Sequence, residues 1–407
     1  MTTPHGPLAG VRVVEIGVWV AGPAAGGIFA DWGADVVKIE PPAGDPARTF
    51  GRMLGGDLPT NPPFELDNRS KRSIAIDVTT PDGRDLAFAL VDTADVFLTN
   101  IRMSALVRLG FDPDALLARN DRLVYALITG YGLDGADADR PAYDIAAYWA
   151  RSGLAAALRP PGGPLPFQRG GMGDHSVAMS AVAAVNAALL ARERTGKGQL
   201  VSTSLLRQGA YTIGFDVNIA LMWGRSVMVG ARETMGNPAI NNYTAGDGRQ
   251  FWIVGLEGER HWPPLARAVG RADWLDDPRF ATPAARFVNA RELIAELDAI
   301  FATRTLDEWA EVFAAEPDFF WSPVNTVDDL VGDAQFHAAG ALVEVPDEEG
   351  GMTMLATPAD FHATPGGPRF RAPRIGEHTL ELLAELGRAD EYEKLVAAGA
   401  IRGMMEE

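Results

Sequence analysis

The sequence predicts an α/β protein in which a doubly wound parallel sheet is joined by a second, smaller α+β domain. Three observations predict it. A strand–helix–strand unit opens the chain between residues 11 and 40, and the same pattern returns up to residue 128. The text changes character after residue 224, and 407 residues are more than one hydrophobic core usually serves.

The first unit reads VRVVEIG, VWVAGPAAGGIFADWG and ADVVKIE. Its outer pieces are β-branched runs of strand length. Pro23 stands where a helix would start and Gly33 just after its end. A strand–helix–strand unit closes right-handedly and builds a parallel sheet. The pattern recurs in SIAID (73–77), in the helical TPDGRDLAFALVDT opened by Thr80 and Pro81, and in the strands DVFLT (95–99) and LVYALI (123–128). Helical text, ALVRLGFDPDALLARN, lies between the last two. A long helix is expected from Asp174 to about Arg194, its Ala, Val and Met content suiting close packing on all sides. The strand LVSTSLL and a helical stretch to Trp223 follow. Residues 225–330 carry a short strand, QFWIVGLEG, and the helical ARELIAELDAIFATR and LDEWAEVFAAE. The chain then returns to strand-like pieces and a last helix, HTLELLAELG.

Composition narrows the function. Hydrophobic residues make up 47% and charged residues 22%, and 54 acids against 36 bases give a formal charge of −18. Such a surface argues against nucleic acid or an anionic membrane as partner, and an anionic ligand would need a local basic patch. The absence of cysteine excludes disulfides, thiolate metal sites and a cysteine nucleophile, and it fits a reducing cytoplasm. The opening MTTPHGPLAG lacks the basic start and apolar core of a signal peptide, so a cytoplasmic protein is expected. Six scattered histidines form no metal-ligand spacing.

Four groups of residues are candidates for chemistry. Gly17, Gly22, Gly26 and Gly27 follow the first strand without the G-x-G-x-x-G spacing of a dinucleotide site, so they mark either a tight turn or a helix N-terminus that accepts an anion. In GGMGDHSVAM (170–179), Asp174 is either a plain helix N-cap or a carboxylate nucleophile that flanking glycines leave open to a large substrate. Arg48, Lys71, Arg72, Arg102 and Arg108 are separate surface charges or together an anion-binding patch. Tyr143 and Asp144 are a packed loop pair or a second acid that assists the first. His175 follows Asp174, but neighbours on a helix point different ways and the G-x-S-x-G elbow is missing, so no triad is expected.

Read end to end, the text resembles class III CoA-transferases, the group that holds formyl-CoA, carnitine, aryl-lactate and bile-acid CoA-transferases. The likeness is carried by LAGVRVVEIGVWVAGPAAGGIFADWGADVVKIEPPAGDPAR, NRSKRSIAIDVTTPDGRD, ADVFLTNIR, LVRLGFDPDAL, LVYALITGYGLDG, ARERTGKGQLVSTSLL, SPVNTV and APRIGEHTLELLAELG. The resemblance implies a Rossmann-like CoA-binding domain built from both chain ends (1–224 and 331–407), an inserted α+β domain (225–330) and an interlocked homodimer. It implies transfer of CoA from an acyl-CoA to a carboxylic acid, with coenzyme A as substrate, no tightly bound cofactor and no metal. The family's nucleophile falls on Asp174, with Tyr143 and Asp144 beside it. Its CoA-contacting positions fall on Val18, Trp19, Val20 and Ala21, then on Lys71, Asn100, Ile101 and Arg108. Val20 stands where some members have glutamine, Pro41 where they have arginine, and ETMGNPAINNY (233–243) where they have a glycine run. Small polar acids are therefore not expected. AYWARSG and LEGERHWPPLARA are similar to the branch that handles bulky aromatic or alicyclic acids, and Trp19, Tyr148 and Trp149 would suit their pocket. The rival within the same fold is an α-methylacyl-CoA racemase, whose catalytic histidine falls on Tyr143, a poor base at neutral pH. A non-enzymatic rival is a CoA-binding paralogue without activity.

Overall fold

Six parallel strands form the sheet of the larger unit in the computed structural model, which describes residues 6–53, 60–226, 230–347 and 350–403; His5 lies outside them. The strands are β1 (Arg12–Ile16), β2 (Asp35–Glu40), β3 (Arg72–Ala75), β4 (Val96–Thr99), β5 (Val124–Thr129) and β6 (Gln199–Ser204). Their order is β3-β2-β1-β4-β5-β6. Register pairs Val14 with Val37 on one side and with Phe97 on the other. The order reverses between β1 and β4, and in open α/β sheets ligands bind outside the carboxyl ends of the strands at that point.

Helices α1 (Ala21–Asp31), α2 (Phe50–Met53), α3 (Pro62–Asn68), α4 (Pro81–Val91), α5 (Met103–Leu109), α6 (Pro113–Arg119), α7 (Leu154–Ala157), α8 (Met172–Thr195), α9 (Leu205–Thr212) and α10 (Gly214–Trp223) complete the first part of the chain. Alternation along each strand feeds two cores. Val13, Val36, Leu98 and Val124 pack with α1 and α8 on one face. Val14, Val37, Phe97 and Tyr125 pack with α4 on the other, together with Leu382, Leu383 and Leu395 from the end of the chain. Residues far apart in sequence thus close one sheet.

Three expectations change in detail. The helical text at 105–120 is two helices, because Gly110 ends α5 at φ +78° and Asp112 caps α6 through the Ala115 amide. LVSTSLL is strand only to Ser204, whose hydroxyl accepts from the Arg207 amide and opens α9. Helix α8 buries one face, from Gly173 through Val177, Ala181 and Val185 to Arg192, while Leu190 on the other side is exposed. Among the described residues it is the one helix long and apolar enough to cross a membrane by length and composition. Its buried face instead packs on α1 and on β5 and β6.

The chain divides into two compact units. The first comprises Met1–Leu158, Pro166–Ser226 and His337–Glu407, the second Arg159–Leu165 and Val227–Phe336. The second holds the antiparallel strands β7 (Ile240–Thr244), β8 (Gln250–Val254) and β9 (Trp321–Pro323), ordered β7-β8-β9. Its core is largely aromatic, with Tyr243, Phe251, Trp262, Trp274, Phe301, Trp309 and Phe313. Such rings bury large apolar areas and meet edge to face or offset, as Phe251 and Phe301 do at 5.0 Å.

Candidate active site

The chain leaves β1 through Gly17, Val18, Trp19 and Val20, directly at the reversal of strand order. Asn100, which follows β4, holds this loop by both ends of its amide. Its Oδ1 accepts from the Val18 N–H at 3.0 Å and its Nδ2 donates to the Val18 carbonyl at 2.7 Å. A Cβ at Gly22 would lie 3.1 Å from the Asn100 side chain, so glycine lets that amide sit against the start of α1. Trp19 is left-handed at φ +66°, a conformation costing a non-glycine residue about 1–2 kcal/mol. Asp45 holds it there, accepting the Trp19 N–H at 3.0 Å. The turn lies at the sheet's carboxyl edge, where α/β folds receive ligands.

Beneath the loop is a buried cluster of charges. Glu15 accepts from Lys38 at 2.8 Å and from Lys71 at 2.7 Å, and Lys38 also pairs with Asp45 at 2.9 Å. Lys71 donates further to the Pro23 carbonyl and to Asn68 Oδ1. This corrects the reading of Lys71 as a ligand contact. Its ammonium is fully buried and its three donors are taken by protein, so it supports the loop from below. Arg48 and Arg72 leave the expected anion patch for the same reason. Arg48 grips Glu40, and Arg72 is bound by Asp35, Glu381 and Glu385. Arg102 does line a cleft of about 290 Å³, together with Asn100, Ile101, Thr129 and Arg140. Arg108 is exposed in the last turn of α5.

The nucleophile candidate stands on the first turn of α8. The residue that caps this helix is Gly171, at φ +74°, and Asp174 is the third residue inside it. The reading of Asp174 as a plain N-cap is therefore corrected. Its carboxyl occupies the first turn without serving as the cap, where helix amides favour an anion. Burial opposes this, followed by the charges of Asp144 and Asp67. Against the nearby His175 they push the carboxyl up to about 7. A carboxylate half-ionised at neutral pH and partly stripped of water is a stronger nucleophile than an ordinary surface acid.

Asp144 frames this turn. One oxygen caps the Ile145–Ala150 helical turn by accepting from the Ile145 amide at 2.7 Å. The other accepts from Gln168 at 2.8 Å and from the Gly173 amide at 3.4 Å, one residue before Asp174. Gly173 is glycine because a Cβ there would come 2.5 Å from the Tyr148 ring. Tyr143, 64% exposed, sets its ring edge to the Trp19 ring at 5.9 Å, and Trp19 meets Phe50 at 5.4 Å. Tyr148 and Trp149 are not part of that aromatic wall. Both are buried, Tyr148 against Gly173 and Trp149 with its indole N–H on the Pro166 carbonyl.

The N-terminus of α8 also approaches the first loop, since a Cβ at Gly171 would lie 3.8 Å from Val20 and 3.3 Å from the His175 ring. The fold thus brings Val18, Trp19, Val20, Tyr143, Asp144 and Asp174 to one end of the sheet, with Asn100 and Ile101. Sequence reasoning missed Asp67, on α3. Its buried carboxylate, 4% exposed, meets His175 Nε2 at 3.0 Å. Nothing local in ELDNRS marks that acid, whose partner lies 108 residues away. Among the described residues no group of three histidine or acidic side chains is placed to share a metal ion.

Residues 8–379 match the family described as CoA-transferase family III. Over 387 residues the chain is 30% identical to the (R)-2-hydroxy-4-methylpentanoate CoA-transferase of Clostridioides difficile, covering 94% of this chain and 96% of that one. Over 389 residues it is 32% identical to the cinnamoyl-CoA:phenyllactate CoA-transferase of Clostridium sporogenes, covering 94% of each. Among solved structures it is similar to a CAIB/BAIF family protein from Brucella suis. The TM-score is 0.82 at 31% identity, covering 94% of this chain and all of that one.

Proposed function

We propose, for a chain that belongs to CoA-transferase family III and moves CoA between an acyl-CoA and a carboxylic acid, that Asp174 is the covalent nucleophile. The observation that carries this is the place of its carboxyl: first turn of α8, desolvated and lifted to about 7, on a helix whose cap, Gly171, approaches Val20 of the loop at the reversal of strand order. The Asp174 carboxylate attacks the donor thioester carbonyl, the C–S bond breaks, and CoA leaves as thiolate. The thiolate attacks the Asp174 carbonyl of the resulting anhydride and releases the donor acid, leaving an aspartyl-CoA thioester. The acceptor carboxylate attacks that thioester and forms a second anhydride. The thiolate then takes the acceptor acyl group and frees Asp174. Every leaving group is a thiolate or carboxylate, so the cycle needs no net proton transfer. The requirement is an ionised Asp174 in a site that excludes water.

Val18, Trp19, Val20, Ala21, Asn100, Ile101 and Arg108 are the proposed CoA side of the site, with Asp144 positioning the first turn of α8. Trp19, Tyr143 and Phe50 form the apolar wall for the acyl group, which suits a bulky aromatic or branched acid. Two similar proteins are named for phenyllactate and for 2-hydroxy-4-methylpentanoate. We assign the CoA-binding role to residues 1–224 and 331–407, and place the enzyme in the cytoplasm as a homodimer. The dimer is supported by α10, which buries no residue and exposes Phe215, Leu221, Met222 and Trp223. Sedimentation should give twice the chain mass.

The test is trapping. The enzyme is incubated with cinnamoyl-CoA and branched acyl-CoA donors, quenched with hydroxylamine or borohydride, and digested for mass spectrometry. Modification of the peptide at Asp174 is expected. Turnover with an unmodified Asp174 overturns the assignment, and α-proton exchange into deuterated solvent without labelling moves it to a racemase.

A further inference from the structure

The transfer cycle leaves one catalytic-looking pair unused. His175 follows Asp174 on α8, and its Nε2 lies 3.0 Å from Oδ1 of Asp67 on α3. Asp67 is almost completely buried, whereas His175 is 45% exposed. A buried carboxylate accepting from Nε2–H fixes the tautomer and leaves Nδ1 with its lone pair free to act as a base. The ring's Nδ1 and Cε1 edge faces Gly171, toward which Val20 also points. The charges of Asp174 and Asp144 both act on His175, so the imidazole shares the nucleophile's field. A base oriented by a third group next to a covalently reacting side chain is the general arrangement of hydrolytic sites.

From this geometry we infer that the Asp67–His175 pair gives the enzyme a second activity, hydrolysis of acyl-CoA when no acceptor acid is present. The inference rests on Asp174 as nucleophile. Attack of Asp174 on acyl-CoA forms the mixed anhydride and CoA thiolate, as in transfer. A water then adds to the acyl carbonyl while its proton passes to His175 Nδ1. The bond from that carbon to the Asp174 oxygen breaks, releasing the carboxylic acid and restoring the Asp174 carboxylate. The imidazolium returns its proton to the CoA thiolate. The sum is acyl-CoA and water giving a carboxylic acid and CoA thiol. His175 is the catalytic base of this branch and Asp67 its positioning residue. An acceptor acid in the site displaces the water and restores transfer.

The groups that act on His175 are Asp67 from α3, Asp174 on its own helix and Asp144. Lys71 and Lys38 act in turn on Asp67. Beside Asp67 the imidazole is held above its ordinary value, so hydrolysis should lose its base form as pH falls through that raised value.

The experiment uses the full chain with cinnamoyl-CoA, followed by thiol release without acceptor and by acyl exchange with added phenyllactate. Thiol release above the buffer rate is expected from the wild type. In His175→Gln the ratio of hydrolysis to transfer should fall by about 100-fold, the low end of what a general base contributes. Asp67→Asn should lower the same ratio and move the hydrolysis pH profile to lower pH. That shift is one a merely structural role would not produce. Transfer without detectable hydrolysis in the wild type, or an equal loss of both activities in His175→Gln, overturns the inference and leaves the transfer mechanism standing. Absence of both activities together with an unlabelled Asp174 means instead that the assignment of Asp174 has failed.

Discussion

Two clusters of buried acids lie at the same end of the parallel sheet, and they behave in opposite ways. Under the first loop, burial would lift the Glu15 carboxyl, but Lys38 and Lys71 hold it below the ordinary carboxylate range. Burial would likewise lift Glu40, and Arg48 and Lys38 bring it down. At the start of α8 the acids outnumber the cations. Asp174, Asp144 and Asp67 share one imidazole, and burial with mutual repulsion leaves Asp174 up to about 7 and Asp67 raised. The Glu15 cluster is the more deeply buried, yet its acids are the ones held low, because the supply of cations differs. A buried carboxylate whose charge is matched becomes part of the scaffold, while one left unmatched is a candidate for chemistry.

The sharpest way to break this contrast is Asp174→Ala. Transfer should fall by about 10⁴-fold or more, measured as kcat with CoA binding checked by calorimetry, because the covalent route is lost. Asp174→Asn adds a stability test whose sign follows from the raised pKa. A carboxyl with a folded value near 7 against 3.8 gives full stability below pH 3.8 and loses it as pH rises through 7. Asn cannot ionise, so urea denaturation at pH 8 should find Asp174→Asn more stable than the wild type, with the gain vanishing near pH 4. A less stable variant at pH 8 would remove the claim that this acid is unmatched.

The scaffold cluster should respond in the other direction. Lys71→Met leaves Glu15 with one cation fewer in a fully buried site and should destabilise the protein by about 3–5 kcal/mol, read from the denaturation midpoint. An effect below about 1 kcal/mol would show that the two clusters do not differ in the way argued. Next in size is Asn100→Ala, which removes two hydrogen bonds to Val18, each worth about 1 kcal/mol. The KM for acyl-CoA should rise roughly 10-fold with kcat little changed, and a fall in kcat alone would mean that the loop is not a binding element. The smallest effect is a shift. Burial lifts Asp174 first and the Asp144 charge second, so Asp144→Asn should move the acidic limb of kcat to lower pH without abolishing turnover.

Much of this was legible in the sequence, for reasons that can be named. Val13, Val14, Val36 and Val37 are a local pattern, and local pattern is enough to mark strands and a parallel sheet. Asp174 stood out because three glycines before an acid, followed by a long apolar helix, is an unusual local text. Lys71 was misplaced because a lysine in a loop sequence reads as a surface charge. Only the approach of Glu15 and Asn68 shows that its donors are taken. Tyr148 and Trp149 read as pocket walls because aromatic residues near an acid suggest one, while the path of the chain turns them inward. His175 was set aside because helix neighbours such as Asp174 point different ways and no nucleophile elbow is present, while its actual partner, Asp67, lies 108 residues away in sequence.

By itself, then, the sequence determined the periodicity of the strands and helices, the absence of cysteine and the family, and it singled out Asp174 as a candidate, all of which rest on neighbouring residues or on the order of motifs. The tertiary structure decided which charges meet. Whether a buried acid is matched, as Glu15 is, or left raised, as Asp174 is, depends on side chains brought together from distant parts of the chain. Coulomb energy and desolvation depend on distance in space and on the water excluded between groups, and neither is a property of sequence neighbours.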